Sequence, residues 1–201
     1  MTSQCHNGAD GRPALDPLLA ATRDCVMDVG LKRTTLADVA RRAGVSRMTV
    51  YRQYGDLQTI VNKLLECELL ALIEDARAAA AELPTARERL VEAGVRTVEA
   101  LAHHPLYRRV LDLDPELLLP LVVDRFGSTQ KAAISLVAGQ IEEGRRDGSI
   151  RPLDPELAAT CLQLTTQSFV FSARVVEGLP MSDELRHLLD AYLRPREAAT
   201  A

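Results

Sequence analysis

The chain has 201 residues, 47% of them hydrophobic and 26% charged, which is the balance of a globular protein and excludes a disordered one. Only 3% are aromatic and none is Trp, while Ala, Leu, Arg and Glu abound; these side chains lose little rotamer freedom in helices, so an all-α fold is expected. The net charge of -4 is divided unevenly: Arg12 to Lys63 hold nine Lys and Arg against five Asp and Glu, a net +4, leaving -8 elsewhere, and a basic head on an acidic body points to a polyanionic partner for the head alone.

The first residues, MTSQCHNGADGRP, lack the apolar run of a signal peptide and read as a flexible tail over 1–13. Asp16-Pro17 is a helix start, because Asp caps free amides and Pro suits the first helical position. Leu15, Leu18, Leu19, Thr22, Cys25, Val26 and Val29 then recur at helical spacing until Gly30. Thr35 to Asp38 resembles a capping box with Asp in the place of Glu, and Leu36, Val39, Ala40 and Ala43 form the buried stripe of the second helix. Gly44 suits a tight turn, with Val45 and Val50 expected to fill the space beneath it. Ser46 caps a short third helix reaching about Gln53, and Asp56 caps a long fourth one that keeps its apolar spacing until Pro84. Later breaks predict helices near 85–103, 105–113, 115–124, 128–146, 155–177 and 182–193, about nine in all if 115–124 is only a turn. No strand alternation or internal repeat is present in the sequence.

Two helices joined by a Gly-containing turn, the second short and basic, describe a helix-turn-helix, in which the second helix enters the DNA major groove. An ordinary helical hairpin with a solvated basic face has the same local pattern. The wider segment TTLADVARRAGVSRMTVYRQYGDLQTIVNKLL, residues 34–65, decides between them. Thr35, Ala43-Gly44-Val45-Ser46, Thr49-Val50-Tyr51, Tyr54 and Asp56 match, in order and spacing, the DNA-binding region of the tetracycline-repressor (TetR) family of transcriptional regulators, which the chain resembles from Pro17 to Leu65.

That resemblance implies a three-helix helix-turn-helix DNA-binding domain over 14–62 and a helical ligand-binding and dimerisation domain over 63–201. It implies a cytoplasmic homodimer that binds double-stranded operator DNA and is released by a small apolar or amphipathic effector. Thr35 and Tyr54 resemble phosphate-clamping positions, Tyr54 being equally readable as a core aromatic. Ser46 caps a helix whose first amides can face a phosphate; Arg47, Met48, Thr49 and Tyr51 stand where family members meet bases or phosphates, and Arg42 and Arg52 where backbone phosphate is nearer. Leu57 departs from the family, whose members commonly carry a Lys there; the amides after Asp56 and Arg42, Arg47 and Arg52 are left for the phosphates.

Beyond residue 63 the residues themselves say less. Leu157 to Ala173 carry no charge, but seven polar residues exclude a membrane span. Its stripe Thr160, Gln163, Gln167, Val170 and Arg174 suits a subunit interface or a ligand cavity. Tyr107, Phe126, Gln163, Gln167 and Phe169 are the candidate ligand contacts. His103 and His104 flank the break at Pro105, where a histidine meeting the helix C-terminal dipole is the plainer reading. No catalytic, cofactor or metal motif is found: the four His are scattered, and Cys5, Cys25, Cys67 and Cys161 make no metal or disulfide framework, as in a reduced protein. A helical DNA-binding regulator with no small-molecule effector, controlled by a protein partner or constitutive, is the alternative.

Overall fold

Asp16 opens the first helix as the sequence predicts: its carboxylate accepts from the Leu18 amide at 2.7 Å, with Pro17 next in line. The computed structural model describes residues 16–113 and 126–195, with the backbone of 6–7 and 13–14. The helix expected at 115–124 lies outside the described residues. Nine helices are described: α1 Pro17–Val29, α2 Leu36–Arg42, α3 Arg47–Tyr54, α4 Leu57–Ala79, α5 Ala86–His103, α6 Pro105–Leu113, α7 Ser128–Arg146, α8 Pro155–Ser172 and α9 Met181–Leu193. A two-residue antiparallel ladder, His6 opposite Ala14 and Asn7 opposite Pro13, leaves the fold all-α. None of the described helices is long and apolar enough to cross a membrane.

The chain forms two compact units, one within Met1–Ala71 and His103–Thr129, the other within Leu72–Ala102 and Gln130–Ala201. In the first, α1 packs on α2 and α6, and α2 packs on α3. Leu19, Val26, Val39, Val50, Ile60, Val61 and Leu64 are fully buried there, each worth roughly 1.5–3 kcal/mol against exposure. Leu106 and Val110 of α6 join this buried set. A polar cluster sits among them. Arg23 of α1 donates through Nε to Glu68 Oε1 of α4 at 2.7 Å and through Nη2 to the same oxygen. His104 Nε2 lies 3.5 Å from Glu68 Oε2, and the His104 ring meets Tyr107 edge-on at 5.6 Å. Tyr107 in turn donates its hydroxyl to the Leu65 carbonyl at 2.6 Å. His104 therefore pairs with a carboxylate, besides lying near a helix end.

Burial would raise the Glu68 carboxyl, but hydrogen bonds from His104 and Arg23, with the Arg23 charge, bring it below its ordinary value. Between that lowered value and about 4.3, the ordinary value for Glu, the unfolded chain binds more protons than the folded one, so stability rises with pH across that window. Glu68's contribution is present at neutral pH and is lost as pH falls through its folded value. Acid titration of unfolding should be shallower in Glu68→Gln than in the parent below about pH 4.5. Identical acid limbs would show that this carboxylate carries no such linkage.

In the second unit, Ala76, Ala80 and Ala93 form a small-residue seam covered by Leu83. Thr85 and Glu88 cap α5 reciprocally, and Asp147 and Ser149 accept from the Ala86 and Arg87 amides at 2.9 and 3.1 Å. Gly144 allows Ile150 to close that loop, since a Cβ there would lie 2.4 Å from the Ile150 side chain.

Two helix ends are corrected. The fourth helix ends at Ala79, not near Pro84: Ala81 and Leu83 make i→i−3 bonds, and Pro84 disfavours helical backbone in the residue before it. The helix beginning at Pro155 ends at Ser172, not 177, because the run with adjacent Val175-Val176 and Gly178 (φ 86°) tightens into turns. Cys25 and Cys161 are free thiols.

Candidate nucleic-acid interface

Thr35 starts the reading motif. Its hydroxyl accepts from the Asp38 amide at 3.2 Å, and Asp38 Oδ2 accepts from the Thr35 hydroxyl at 2.6 Å and amide at 3.2 Å. The Thr35 hydroxyl, foremost, holds the Asp38 carboxyl below its usual range. At the other end of α2, Gly44 adopts φ 69°, which lets the Val45 amide reach back to the Ala40 carbonyl (3.0 Å) and its own amide to Arg41 (3.3 Å). This Schellman closure needs a left-handed residue, and Gly supplies it without a Cβ penalty. Val45, expected beneath the turn, is instead 38% exposed, because the closure turns the residue after Gly44 outward.

Ser46 then caps α3 by accepting from the Thr49 amide at 3.1 Å, and the two hydroxyls lie 2.9 Å apart. Gly55 ends the helix after eight residues, its amide bonded to the Tyr51 carbonyl at 2.8 Å. The faces of α3 divide cleanly. Val50 and Tyr54, four residues apart, are buried; Arg47, Met48, Tyr51 and Arg52 are exposed, with Met48 at 63% and Tyr51 at 57%. Tyr54 is thus a core aromatic; burial, reinforced by the Asp16 charge, pushes its hydroxyl up to about 12.

The cations differ in availability. Among the described residues, Arg47 and Arg52 make no hydrogen bond or ion pair. Arg42 pairs with Asp28 at 2.5 Å, and that hydrogen bond is the main reason its pKa rises above the usual arginine value. Arg41 pairs with Asp38 at 2.8 Å. Sequence reasoning missed Asp28, fourteen residues from its partner and placed there only by the packing of α1 on α2. At the start of α4, Asp56 accepts from the Thr59 amide at 2.7 Å, and Leu57 is half-buried. The arrangement is a short, firmly capped helix offering two unpaired guanidiniums with apolar side chains beside them. It can meet a groove lined by phosphates and base edges.

The candidate ligand contacts divide between the units. Tyr107 and Phe126 belong to the first and are half-buried, the Tyr107 hydroxyl held by Leu65 and raised in pKa by burial. Gln163, Gln167 and Phe169 lie half-buried on α8 in the second. Gln167 accepts from the buried Gln130 of α7 at 2.7 Å, a partner that helical spacing within α8 does not reveal. The α8 hydroxyls of Thr160, Thr165, Thr166 and Ser168 all bond back to carbonyls three or four residues earlier. Leu157 and Leu164, exposed a heptad apart, lie on the same helix, which carries no charge from Leu157 to its end.

Comparison with known proteins gives the same picture. The family profile described as bacterial regulatory proteins, tetR family, matches residues 18–63. An uncharacterized HTH-type transcriptional regulator of Mycobacterium bovis is 33% identical over 180 residues, 88% of this chain and 92% of that protein. Among solved structures, the TetR family repressor AlkX of Dietzia sp. superposes with a TM-score of 0.67 at 20% identity, over 88% of this chain and 92% of that one. The transcriptional regulator FadR of Bacillus subtilis, in complex with stearoyl-CoA, superposes with a TM-score of 0.60 at 19% identity, over 89% and 98%.

Proposed function

Because the chain belongs to the TetR family of bacterial regulatory proteins, and so is a DNA-binding transcriptional regulator and not an enzyme, we propose that it is a dimeric repressor released from its operator by a small apolar or amphipathic ligand. The observation that carries the DNA part is the exposed face of α3, with Arg47 and Arg52 unpaired above a buried Val50 and Tyr54. Residues 14–62 read DNA in this proposal, residues 63–201 regulate and dimerise, and the site of action is the cytoplasm. Thr35, Ser46, Thr49 and Tyr51 position or touch the duplex beside the arginines; Arg42 must leave Asp28 to meet a phosphate. The dimer uses α8, uncharged from Leu157 on, with α9: the hydroxyls of Thr160, Thr165, Thr166 and Ser168 are satisfied inside the helix, which lowers the cost of covering them.

For the effector, support comes from apolar chemistry around the fold: FadR of Bacillus subtilis is seen with stearoyl-CoA, and AlkX is implicated in biodegradation of n-alkanes. In the proposal the ligand is held within 63–201, and its candidate contacts are Tyr107 and Phe126 in the first unit or Gln163, Gln167 and Phe169 in the second. The response travels along α4, which contributes residues to both units and is about 35 Å long at 1.5 Å per residue. A hundredfold preference of the ligand for the non-binding conformation supplies roughly 2.7 kcal/mol, and linkage requires operator DNA to weaken the ligand by that same factor. Calorimetry of a long-chain acyl thioester with and without operator tests this. Binding weakened by operator supports effector control; binding that is absent, or identical in both cases, overturns release by such a ligand.

A further inference from the structure

Resting on the reading of α3 as the DNA reader, we infer that Met48 recognises A·T base pairs by contact with the thymine 5-methyl group, and is a specificity-determining residue of the operator half-site. An A·T pair shows two distinguishing features in the major groove: the adenine N6/N7 pair, read by Asn or Gln, and the thymine methyl, read by an apolar side chain. The first route is poorly served on α3. Its one carboxamide, Gln53, donates one N–H to the Asp16 carboxylate at 3.0 Å, a bond that ties the side chain to the start of α1 and must break before the group can pair with an adenine. Thr49 is also engaged, its hydroxyl 2.9 Å from that of Ser46.

What remains outward near the start of α3 is Arg47, suited to guanine or phosphate, and Met48, which at 63% is the most exposed large apolar side chain of the motif. An unbranched thioether held in water between Arg47 and Thr49 contributes nothing to the core of this unit. It does fit the irregular relief of a groove edge. The half-site therefore carries a thymine that Met48 covers.

The test begins by selecting an operator from a random duplex library with the full-length protein. Each thymine is then replaced singly by deoxyuridine, which removes the methyl and keeps every base-edge hydrogen bond. At one position per half-site, the parent should lose about fourfold in affinity, the factor for one buried methyl group. Met48→Ala should bind the thymine operator more weakly and show no further loss with uracil at that position, while Met48→Leu should keep the discrimination. Met48 is exposed, so the variants should retain the parent's helicity and thermal midpoint. A specific operator whose uracil scan is flat, or is unchanged in Met48→Ala, overturns this inference and leaves the DNA-binding reading standing. A protein that selects no operator overturns both.

Discussion

Replacing Arg47 and Arg52 together by alanine is expected to weaken operator binding by about two orders of magnitude or more while leaving the fold intact. Both guanidiniums are exposed and unpaired among the described residues, so their removal breaks no internal contact. A bidentate arginine contact to a base is worth about 1–3 kcal/mol, and each phosphate neutralised adds about 0.9 to the slope of log affinity against log salt. Filter binding across a salt series distinguishes the two roles: loss confined to the operator indicates base contact, whereas a flatter slope on every sequence indicates phosphate contact. Arg42→Ala provides the contrast. Its charge is already matched by Asp28, so its removal should cost less than either single change on α3. Unchanged affinity in the double variant would remove α3 from the interface.

Leu164→Glu is expected to dissociate the proposed dimer, and with it most of the operator affinity. Leu164 is 46% exposed, so a charge there meets water in the single subunit and need not disturb the core. At a dimer surface the same charge would be buried without a partner, which costs several kcal/mol. Two linked reading heads bind more tightly than one by about 10²–10⁴ when both engage. Sedimentation at micromolar concentration should therefore show a monomer of normal helicity with operator affinity reduced by about a hundredfold or more. A dimer that persists would place the interface elsewhere.

Helix starts were legible because capping is local chemistry. Asp16-Pro17, Thr35 with Asp38, Ser46 and Asp56 each place an acceptor within three residues of the amides it serves, and all four hold in the structure. Helix ends were less legible: the last turns after Ala79 and Ser172 depend on small differences between i→i−3 and i→i−4 bonding. The site divides in the same way. Arg47, Met48 and Arg52 were legible on the outer face of α3 from the residues themselves, as was the buried Val50, whereas Tyr51 came only through the family resemblance. Tyr54 could be read either way until the packing of the first unit placed its ring in the core. The pairing of Arg42 with Asp28, and of Glu68 with Arg23 and His104, joins residues 14 to 45 positions apart, and no periodicity encodes it.

The central claim is sequence-specific recognition of DNA through α3. It is tested most directly by the affinity of the full-length protein for its selected operator and for random duplex of the same length, measured side by side at physiological salt. Specific sites are typically bound about 10³-fold or more tightly than non-specific DNA, and a ratio of that order is predicted here, collapsing toward unity in the Arg47→Ala/Arg52→Ala variant. Equal affinity of the parent for both duplexes would contradict the account.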